Sequence, residues 1–248
     1  DDALAFTQAA DETGIPIILQ AGPSCRAHTP IPILGKMFRY LASQTKTNIC
    51  CHVDHGYTLD ECYEGIDSGF TSVMFDGSKL TLKENIKISK KIASRAHKYN
   101  ISIEGEIGFV GYDNGKISEG TNIEDAVTFA NKSNIDAMAI SVGNTHLQTS
   151  KKASIDFNKI NLIEAKTKIP LVLHGSSGIP VEQRKKLARK TKVAKLNIGT
   201  EIRMTFGEAL RKNLKKNPKT YDRLQLLKPT IKDLTKVTKK IIKQIGPN

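Results

Sequence analysis

Short, strongly apolar segments recur along the chain, and longer amphipathic segments separate them. The apolar segments are rich in β-branched residues and too short for buried helices, so they predict β-strands. They lie at 15–20, 48–54, 72–76, 101–108, 137–143, 170–175 and 193–199. Between them, apolar residues recur three and four positions apart, which predicts helices. The helix predicted over 58–69 begins with a capping box of Thr58 and Glu61 and ends at Gly69.

The regular alternation of strands and helices predicts an α/β fold built from βαβ units around a parallel sheet. The chain opens in a helical pattern, so we expect an eighth strand before residue 1, which would complete a (β/α)8 TIM barrel. An open doubly wound sheet is the alternative, although no GxGxxG motif follows an early strand. We expect one domain over residues 1–248, with extra helices at its C-terminal end.

The positive charge is concentrated near the C-terminus. The net charge is +13, and residues 211–248 contribute twelve Lys/Arg against two Asp. Within this segment six apolar residues and Thr238 recur at helical spacing; they are Ile231, Leu234, Val237, Thr238, Ile241, Ile242 and Ile245. The lysines are therefore predicted to form the solvated face of a helix. A nucleic-acid surface is the alternative, but the segment has no interleaved aromatics beyond Tyr221, so we expect no nucleic-acid partner.

The rest of the composition predicts a cytoplasmic protein. No apolar run reaches the roughly 18 residues of a membrane span. The first fourteen residues lack the basic and apolar regions of a signal peptide. Four irregularly spaced cysteines, at positions 25, 50, 51 and 62, do not form a disulfide framework. We therefore expect reduced, buried cysteines and no membrane partner.

Polar residues follow nearly every predicted strand, at the end where α/β barrels carry their chemistry. They are His52, Asp54 and His55, then Asp76, then Glu104 and Glu106, then His146, then His174, and last Asn197, Gly199 and Thr200. Histidines from three strands suit Zn²⁺ with one position open for a substrate carbonyl. Asp76 and Glu106 would hold a second or alternate metal, orient the imidazoles, or simply cap helices.

The last two strands end in glycine-containing turns that precede predicted helices. HGSSG occupies 174–178 and NIGTE occupies 197–201. Glycines allow close backbone approach, and the N–H groups at a helix N-terminus bind anions. Barrels often bind phosphate at these two loops. The pair therefore favours a phosphate site over two ordinary turns.

With these motifs in order, the chain resembles the class II, metal-dependent fructose-bisphosphate and tagatose-bisphosphate aldolases. The matching segments are HVDHG (52–56), GFTSVMFDGS (69–78), IEGEIG (103–108), DAMAISVGNTH (136–146), PLVLHGSSGIP (170–180) and KLNIGTEIRMTF (195–206). They cover nearly the whole chain in the family's order.

The resemblance implies a role for each strand end. His55, His146 and His174 correspond to the zinc ligands, and Asp54 to the acid/base that moves the C4 hydroxyl proton. Zinc would stabilise the enediolate of dihydroxyacetone phosphate. The other implied roles are hydrogen bonding to that intermediate (Asn197), phosphate binding (Gly175, Ser177, Gly199 and Thr200) and alternate metal binding (Asp76 and Glu106). It also implies a monovalent cation near the phosphate and a homodimer or homotetramer.

The chain departs from the family pattern at several points. Leu147 stands where members usually have glycine, and Gly199 replaces a residue that is more often acidic. The first predicted strand ends Gln-Ala-Gly at 20–22, so Ser24 is a candidate replacement for a serine on the aldehyde side. In the loop 108–122, only Asp113 and Glu119 offer a carboxylate for the enolising base.

The leading hypothesis is an aldolase that reversibly cleaves fructose 1,6-bisphosphate, tagatose 1,6-bisphosphate or a related ketose phosphate to dihydroxyacetone phosphate and an aldehyde. A catalytically impaired homologue that binds zinc and a sugar phosphate, as a sensor or scaffold, is the alternative. A Schiff-base aldolase using Lys195 is a third hypothesis, which leaves the histidines unexplained.

Overall fold

The computed structural model of the chain describes residues 1–112, 118 and 120–246. Seven parallel strands form one sheet, and a second, two-stranded parallel sheet lies beside it. In chain order the strands are β1 (Ile17–Ala21), β2 (Ile49–Gly56), β3 (Ser72–Phe75), β4 (Ser102–Ile107), β5 (Gly111–Tyr112), β6 (Ala137–Ile140), β7 (Thr145–His146), β8 (Leu171–Leu173) and β9 (Val193–Leu196). The short pair is β5 and β7, and it was not predicted.

Helices connect successive strands and continue beyond the last one. They are α1 (Asp2–Thr13), α2 (Pro23–His28), α3 (Ile31–Gln44), α4 (Leu59–Asp67), α5 (Leu82–Lys98), α6 (Ile123–Lys132), α7 (Phe157–Lys166), α8 (Val181–Lys190), α9 (Thr200–Lys216), α10 (Arg223–Leu227) and α11 (Thr230–Ile245), with a 3₁₀ turn at Ser176–Gly178. The predicted capping box of α4 is confirmed, because Thr58 accepts from the Glu61 amide and Glu61 accepts from the Thr58 amide.

The order of the strands decides between the two predicted architectures. In the large sheet the order is β1-β2-β3-β4-β6-β8-β9, which follows the chain without reversal. A doubly wound sheet reverses direction at a switch point, whereas a barrel does not. The prediction of a TIM-barrel-type fold is therefore confirmed: the seven strands form a curled, parallel half-barrel. Among the described residues, β1 and β9 are its two edge strands.

The two faces of the sheet have different contents. Large apolar side chains, among them Phe70, Phe75 and Phe129, pack between the strands and the helices in the main core. The opposite, inner face has only a small apolar cluster, of Met74, Ala139 and Val172. The inner face also contains buried polar side chains, and the candidate site lies where this face reaches the strand ends.

The basic C-terminal segment forms α10, α11 and the end of α9, as the helical spacing predicted. Leu234, Ile241 and Ile242 are buried, and α11 packs against α1 and α9. Lys239 of the polar face pairs with Glu12 of α1. Within the described part of the chain, none of the helices has the length and apolar character needed to cross a membrane.

Candidate metal and phosphate site

The end of β2 contains a β-bulge. Val53 pairs with Val73 and Gly56 pairs with Phe75, so β2 has one more residue than β3 across this interval. His55 adopts a positive φ of 53° at the bulge. In a regular strand, Asp54 and His55 would point to opposite faces. A bulge redirects side chains, and here both residues contact the same site.

Three histidines from different strand ends meet at this point. Nδ1 of His174 lies 2.8 Å from Nε2 of His55. The ring centroid of His146 lies 5.3 Å from that of His55 and 5.8 Å from that of His174. One ring nitrogen from each histidine falls in a group whose members all lie within 4.8 Å of one another. The structure therefore brings together the three histidines that the sequence singled out.

Two of these imidazoles are oriented by carboxylates on the side away from the group. Nδ1 of His55 bonds to Oδ2 of Asp76 at 2.8 Å. Nε2 of His174 bonds to Oε1 of Glu104 at 2.9 Å, and the other Glu104 oxygen accepts from Nζ of Lys195 at 2.9 Å. A carboxylate on the distant nitrogen is the usual arrangement around metal-binding histidines, because it fixes the tautomer and the ring orientation.

The carboxylates around His55 favour positive charge at this point. Burial by itself would lower the pKa of His55, but the hydrogen bond to Asp76 and the neighbouring negative charges outweigh burial and raise the pKa to about 9. Burial would raise the pKa of Asp76, yet its bonds to His55 and Ser78 lower that pKa to about 2. A bound cation would supply the charge that a proton on His55 supplies otherwise.

The remaining groups fit a divalent cation. Burial, followed by the charge on His55, lowers the pKa of His146 to about 4, and burial lowers the pKa of His174 well below its usual range. Both are therefore neutral at pH 7, as metal ligands must be. Oε2 of Glu106 is buried and accepts no hydrogen bond within the described residues. Glu106, Asp76 and His55 form a second group of donors within 4.8 Å.

Asp54 is held by two amides. Its Oδ1 accepts from Nδ2 of Asn197 at 3.1 Å, and its Oδ2 accepts from Nε2 of Gln20 at 3.3 Å. A Cβ at Gly22 would lie 3.4 Å from Oδ2. The carboxylate is therefore oriented from β1 and β9, on either side of the site.

The loops after β8 and β9 form one turn-and-helix unit. Gly175 has a φ of 61°, and a Cβ there would lie 2.3 Å from the carbonyl oxygen of Thr145. Ser177 Oγ accepts from the Glu201 amide at 3.2 Å, in the first turn of α9. Gly199 is the N-cap of α9 and Thr200 its first residue. The N-terminus of α9 is therefore the candidate anion site of this unit.

Comparison with known proteins assigns the chain to a family. The family model described as fructose-bisphosphate aldolase class-II matches residues 1–248. The chain belongs to the class II aldolase family. It is 36 % identical over 201 residues to the 6-phospho-5-dehydro-2-deoxy-D-gluconate aldolase of Shouchella clausii, covering 80 % of this chain and 68 % of that protein.

Two further relatives extend the comparison. The fructose-bisphosphate aldolase of Staphylococcus aureus (strain Mu50) is 31 % identical over 249 residues, covering 98 % of this chain and 87 % of that protein. The crystal structure of the YdjI aldolase from Escherichia coli K12 superposes with a TM-score of 0.85 at 25 % identity, covering 99 % of this chain and 87 % of that one. Aldolase proteins with different named substrates therefore share this fold.

Two departures from the class II pattern have visible consequences. Leu147, where the resemblance implies glycine, has a φ of 58°, a left-handed conformation that glycine adopts without steric cost. Because Gly199 has no side chain, the guanidinium of Arg203 lies against it, with Nη1 3.1 Å from the position of a Cβ. Nη2 of Arg203 also reaches Thr200 Oγ1 at 3.3 Å. A cation therefore stands beside the candidate phosphate loops of this aldolase.

Two tyrosine rings lie beside His55 and His146 on the loop side. The ring centroid of Tyr112 lies 5.0 Å from that of His146, and the centroid of Tyr57 lies 6.3 Å from that of His55. Nζ of Lys79 lies 6.0 Å from the Tyr57 ring. The Lys79 ammonium and the tyrosine hydroxyl groups offer positive charge and hydrogen-bond donors, so this side of the site suits an anionic substrate group. The candidate bases Asp113 and Glu119 lie outside the described residues.

Sequence reasoning missed several residues that support the site. Gln20 binds Asp54, and buried Asn144 donates to the carbonyl oxygen of His174 at 3.0 Å. The fully buried Arg184 donates to the carbonyl oxygens of Ser176 (2.9 Å) and Ser177 (2.7 Å) and to Glu201 (2.7 Å). Lysine-rich α8 offered no signal for a buried arginine. Nζ of Lys195 is already engaged in an ion pair with Glu104 at 2.9 Å, which disfavours the Schiff-base hypothesis.

Proposed function

We propose that this aldolase is zinc-dependent and reversibly cleaves a ketose phosphate to dihydroxyacetone phosphate and an aldehyde. The observation that carries the proposal is the meeting of three imidazoles beside an oriented carboxylate, Asp54, and a helix N-terminus suited to phosphate. In this proposal His55, His146 and His174 hold the zinc. When bound, zinc would act as a Lewis acid on the substrate's ketone.

The chain's own groups supply the proton transfer. In cleavage, Asp54 takes the proton of the C4 hydroxyl while the C3–C4 bond breaks, and it returns that proton in condensation. Asn197 and Gln20 hold its carboxylate from both sides, so one orientation is available before substrate arrives. Asn197 would also donate to the three-carbon product. The base that moves the proton of that product belongs to the loop 108–122.

The phosphate would lie against Gly175, Ser177, Gly199 and Thr200, with Arg203 beside them. Asp76 and Glu106 would provide an alternate metal position, and a monovalent cation near the phosphate belongs to the same proposal.

The names of the relatives support the proposal that the chain recognises the half of the substrate that carries the ketone and its neighbouring phosphate. Fructose bisphosphate and 6-phospho-5-dehydro-2-deoxy-D-gluconate both have a ketone next to a phosphorylated terminal carbon. They differ at the opposite end, which is a phosphate in one and a carboxylate in the other.

A substrate panel tests the proposal. Zinc-loaded protein is incubated with fructose 1,6-bisphosphate, tagatose 1,6-bisphosphate and 6-phospho-5-dehydro-2-deoxy-D-gluconate, and dihydroxyacetone phosphate is detected by coupled NADH oxidation. We expect cleavage of at least one compound, its loss on chelation, and its return with Zn²⁺ or Co²⁺. Release that survives full chelation would rule out the metal-dependent mechanism. Tight binding of zinc and phosphate without turnover would instead support the impaired homologue.

A further inference from the structure

The end of β2 is held by an arginine from another element. Arg26 belongs to α2, and its side chain is only 6 % exposed. Its Nη1 donates to the carbonyl oxygens of Ala21 (2.7 Å) and Asp54 (2.5 Å), and its Nη2 donates to that of His55 (2.9 Å). Glu61 Oε1, in the first turn of α4, lies 3.6 Å from Nη2. One guanidinium therefore joins the ends of β1 and β2 to the start of α4.

Two of the three contacted carbonyls, those of Asp54 and His55, belong to the bulge itself. The bulge interrupts the regular pairing of β2 with β3, and the His55 amide points to the sulfur of Met74 at 3.4 Å. Buried carbonyl groups require donors. A guanidinium provides several donors in one rigid plane. Binding both carbonyls fixes the two peptide units on either side of His55, and with them the directions of the Asp54 and His55 side chains.

We infer that Arg26 is a positioning residue that holds the β2 bulge in the conformation that turns both Asp54 and His55 to the site. The left-handed backbone at His55 is costly for a residue with a Cβ and persists only where its surroundings enforce it. Here the guanidinium of Arg26 is the buried group that contacts the carbonyls on both sides of that strained residue. The roles of Asp54 and His55 rest on the proposed function, whereas the contacts of Arg26 with the bulge are a property of the folded chain.

Two substitutions at Arg26 and one control test this inference. Arg26→Met removes the guanidinium, and Arg26→Lys keeps the charge but replaces the rigid fork with a point donor. Arg95→Met is the matched control, because Arg95 also pairs with a carboxylate, Asp67, but on the surface. The readouts are the zinc Kd by chelator competition, the visible spectrum of the Co²⁺ form, amide exchange in 49–58, and kcat and KM.

We expect Arg26→Met to raise the zinc Kd about 10- to 100-fold, the effect typical of losing a group that orients a metal ligand. Its Co²⁺ spectrum should change, amide exchange in 49–58 should accelerate, and kcat should fall more than KM rises. Arg26→Lys should give intermediate values in all four measurements. Arg95→Met should stay within about twofold of wild type, because its contacts are exposed and distant.

The inference is overturned if folded Arg26→Met matches Arg95→Met in zinc Kd, Co²⁺ spectrum and amide exchange. If Arg26→Met fails to fold, Arg26→Lys provides the test. Wild-type zinc affinity and kcat in Arg26→Lys would show that the planar guanidinium is not needed to hold the bulge and would overturn the inference. The exchange and metal measurements require no substrate. Failure of the wild-type chain to cleave any ketose phosphate would therefore count against the proposed function, but not against the positioning role of Arg26.

Discussion

Replacing Glu104 with glutamine should weaken zinc binding. One oxygen of this buried carboxylate accepts from His174 Nε2 at 2.9 Å, and the other accepts from Lys195 Nζ at 2.9 Å. A hydrogen bond to a charged group contributes about 1.5–3 kcal/mol. Glutamine keeps the shape but removes the charge, so most of that contribution is lost from the orientation of His174. At 1.4 kcal/mol for each factor of ten, the zinc Kd should rise about 10- to 100-fold.

The substitution also leaves the Lys195 ammonium buried without its counterion, which would destabilise the fold for a separate reason. Lys195→Met separates the two effects, because it removes the ammonium and retains the bond between Glu104 and His174. We expect Lys195→Met to keep the zinc Kd within about threefold of wild type. The double variant should recover thermal stability relative to Glu104→Gln while keeping its zinc defect.

The assay is chelator competition for the zinc Kd, with calorimetric melting of the metal-free proteins beside it. Wild-type zinc affinity in Glu104→Gln would refute the assigned role of the carboxylate. If Lys195→Met weakened zinc as much as Glu104→Gln, the effect would belong to the buried ion pair and not to the orientation of His174. Retained cleavage by Lys195→Met would also exclude a Schiff-base mechanism.

Three further predictions use the same protein. Gly175→Ala should disturb the phosphate loop and lower the affinity for inorganic phosphate, because its Cβ would lie 2.3 Å from a carbonyl oxygen. Gly14→Ala is the control: its Cβ has open space, so the substitution should cost only about 1–2 kcal/mol of backbone strain in a melting experiment. Asp54→Ala should reduce kcat by orders of magnitude with zinc still bound, and His174→Ala should raise the zinc Kd itself; innocuous Asp54→Ala would refute the assigned acid/base. Because the pKa of His55 is raised to about 9, zinc must displace a proton below that pH, so affinity should rise about tenfold per pH unit up to pH 9 and then level off. In the metal-free chain, the stability contributed by protonated His55 should be fully present below pH 6.5 and lost as the pH rises through 9; a pH-independent zinc Kd would contradict the assignment.

The sheet could be predicted because strands of a parallel sheet are buried on both faces and form nearly continuous apolar runs. All seven predicted segments correspond to strands of the large sheet. The β5–β7 pair has two residues on each side, which is too short for any periodicity. The strand-end rule also predicted that His55, His146 and His174 lie at one edge, because parallel strands end together.

The supporting contacts could not be predicted, since they depend on register and on residues far apart in the chain. Strict alternation would have put Asp54 and His55 on opposite faces; the bulge that unites them is visible only in the pairing of β2 with β3. Glu104 could be assigned to the inner face by its spacing from Glu106. Which histidine it meets depends on how β4 and β8 are placed, 70 residues apart in sequence.

The division of the site between strands and loops bears on substrate choice. The groups proposed for the metal and for the phosphorylated ketone come from strand ends or from turns braced by buried side chains, such as Arg184 behind Ser177. Tyr57 and Tyr112, beside His55 and His146, are exposed and lie after β2 and at the end of β5. The relatives' substrates agree at the first end and differ at the second. We therefore expect a change of aldehyde partner to depend on loop residues. The test is to exchange loop 108–122 with that of a relative: substrate preference should change while the zinc Kd stays constant.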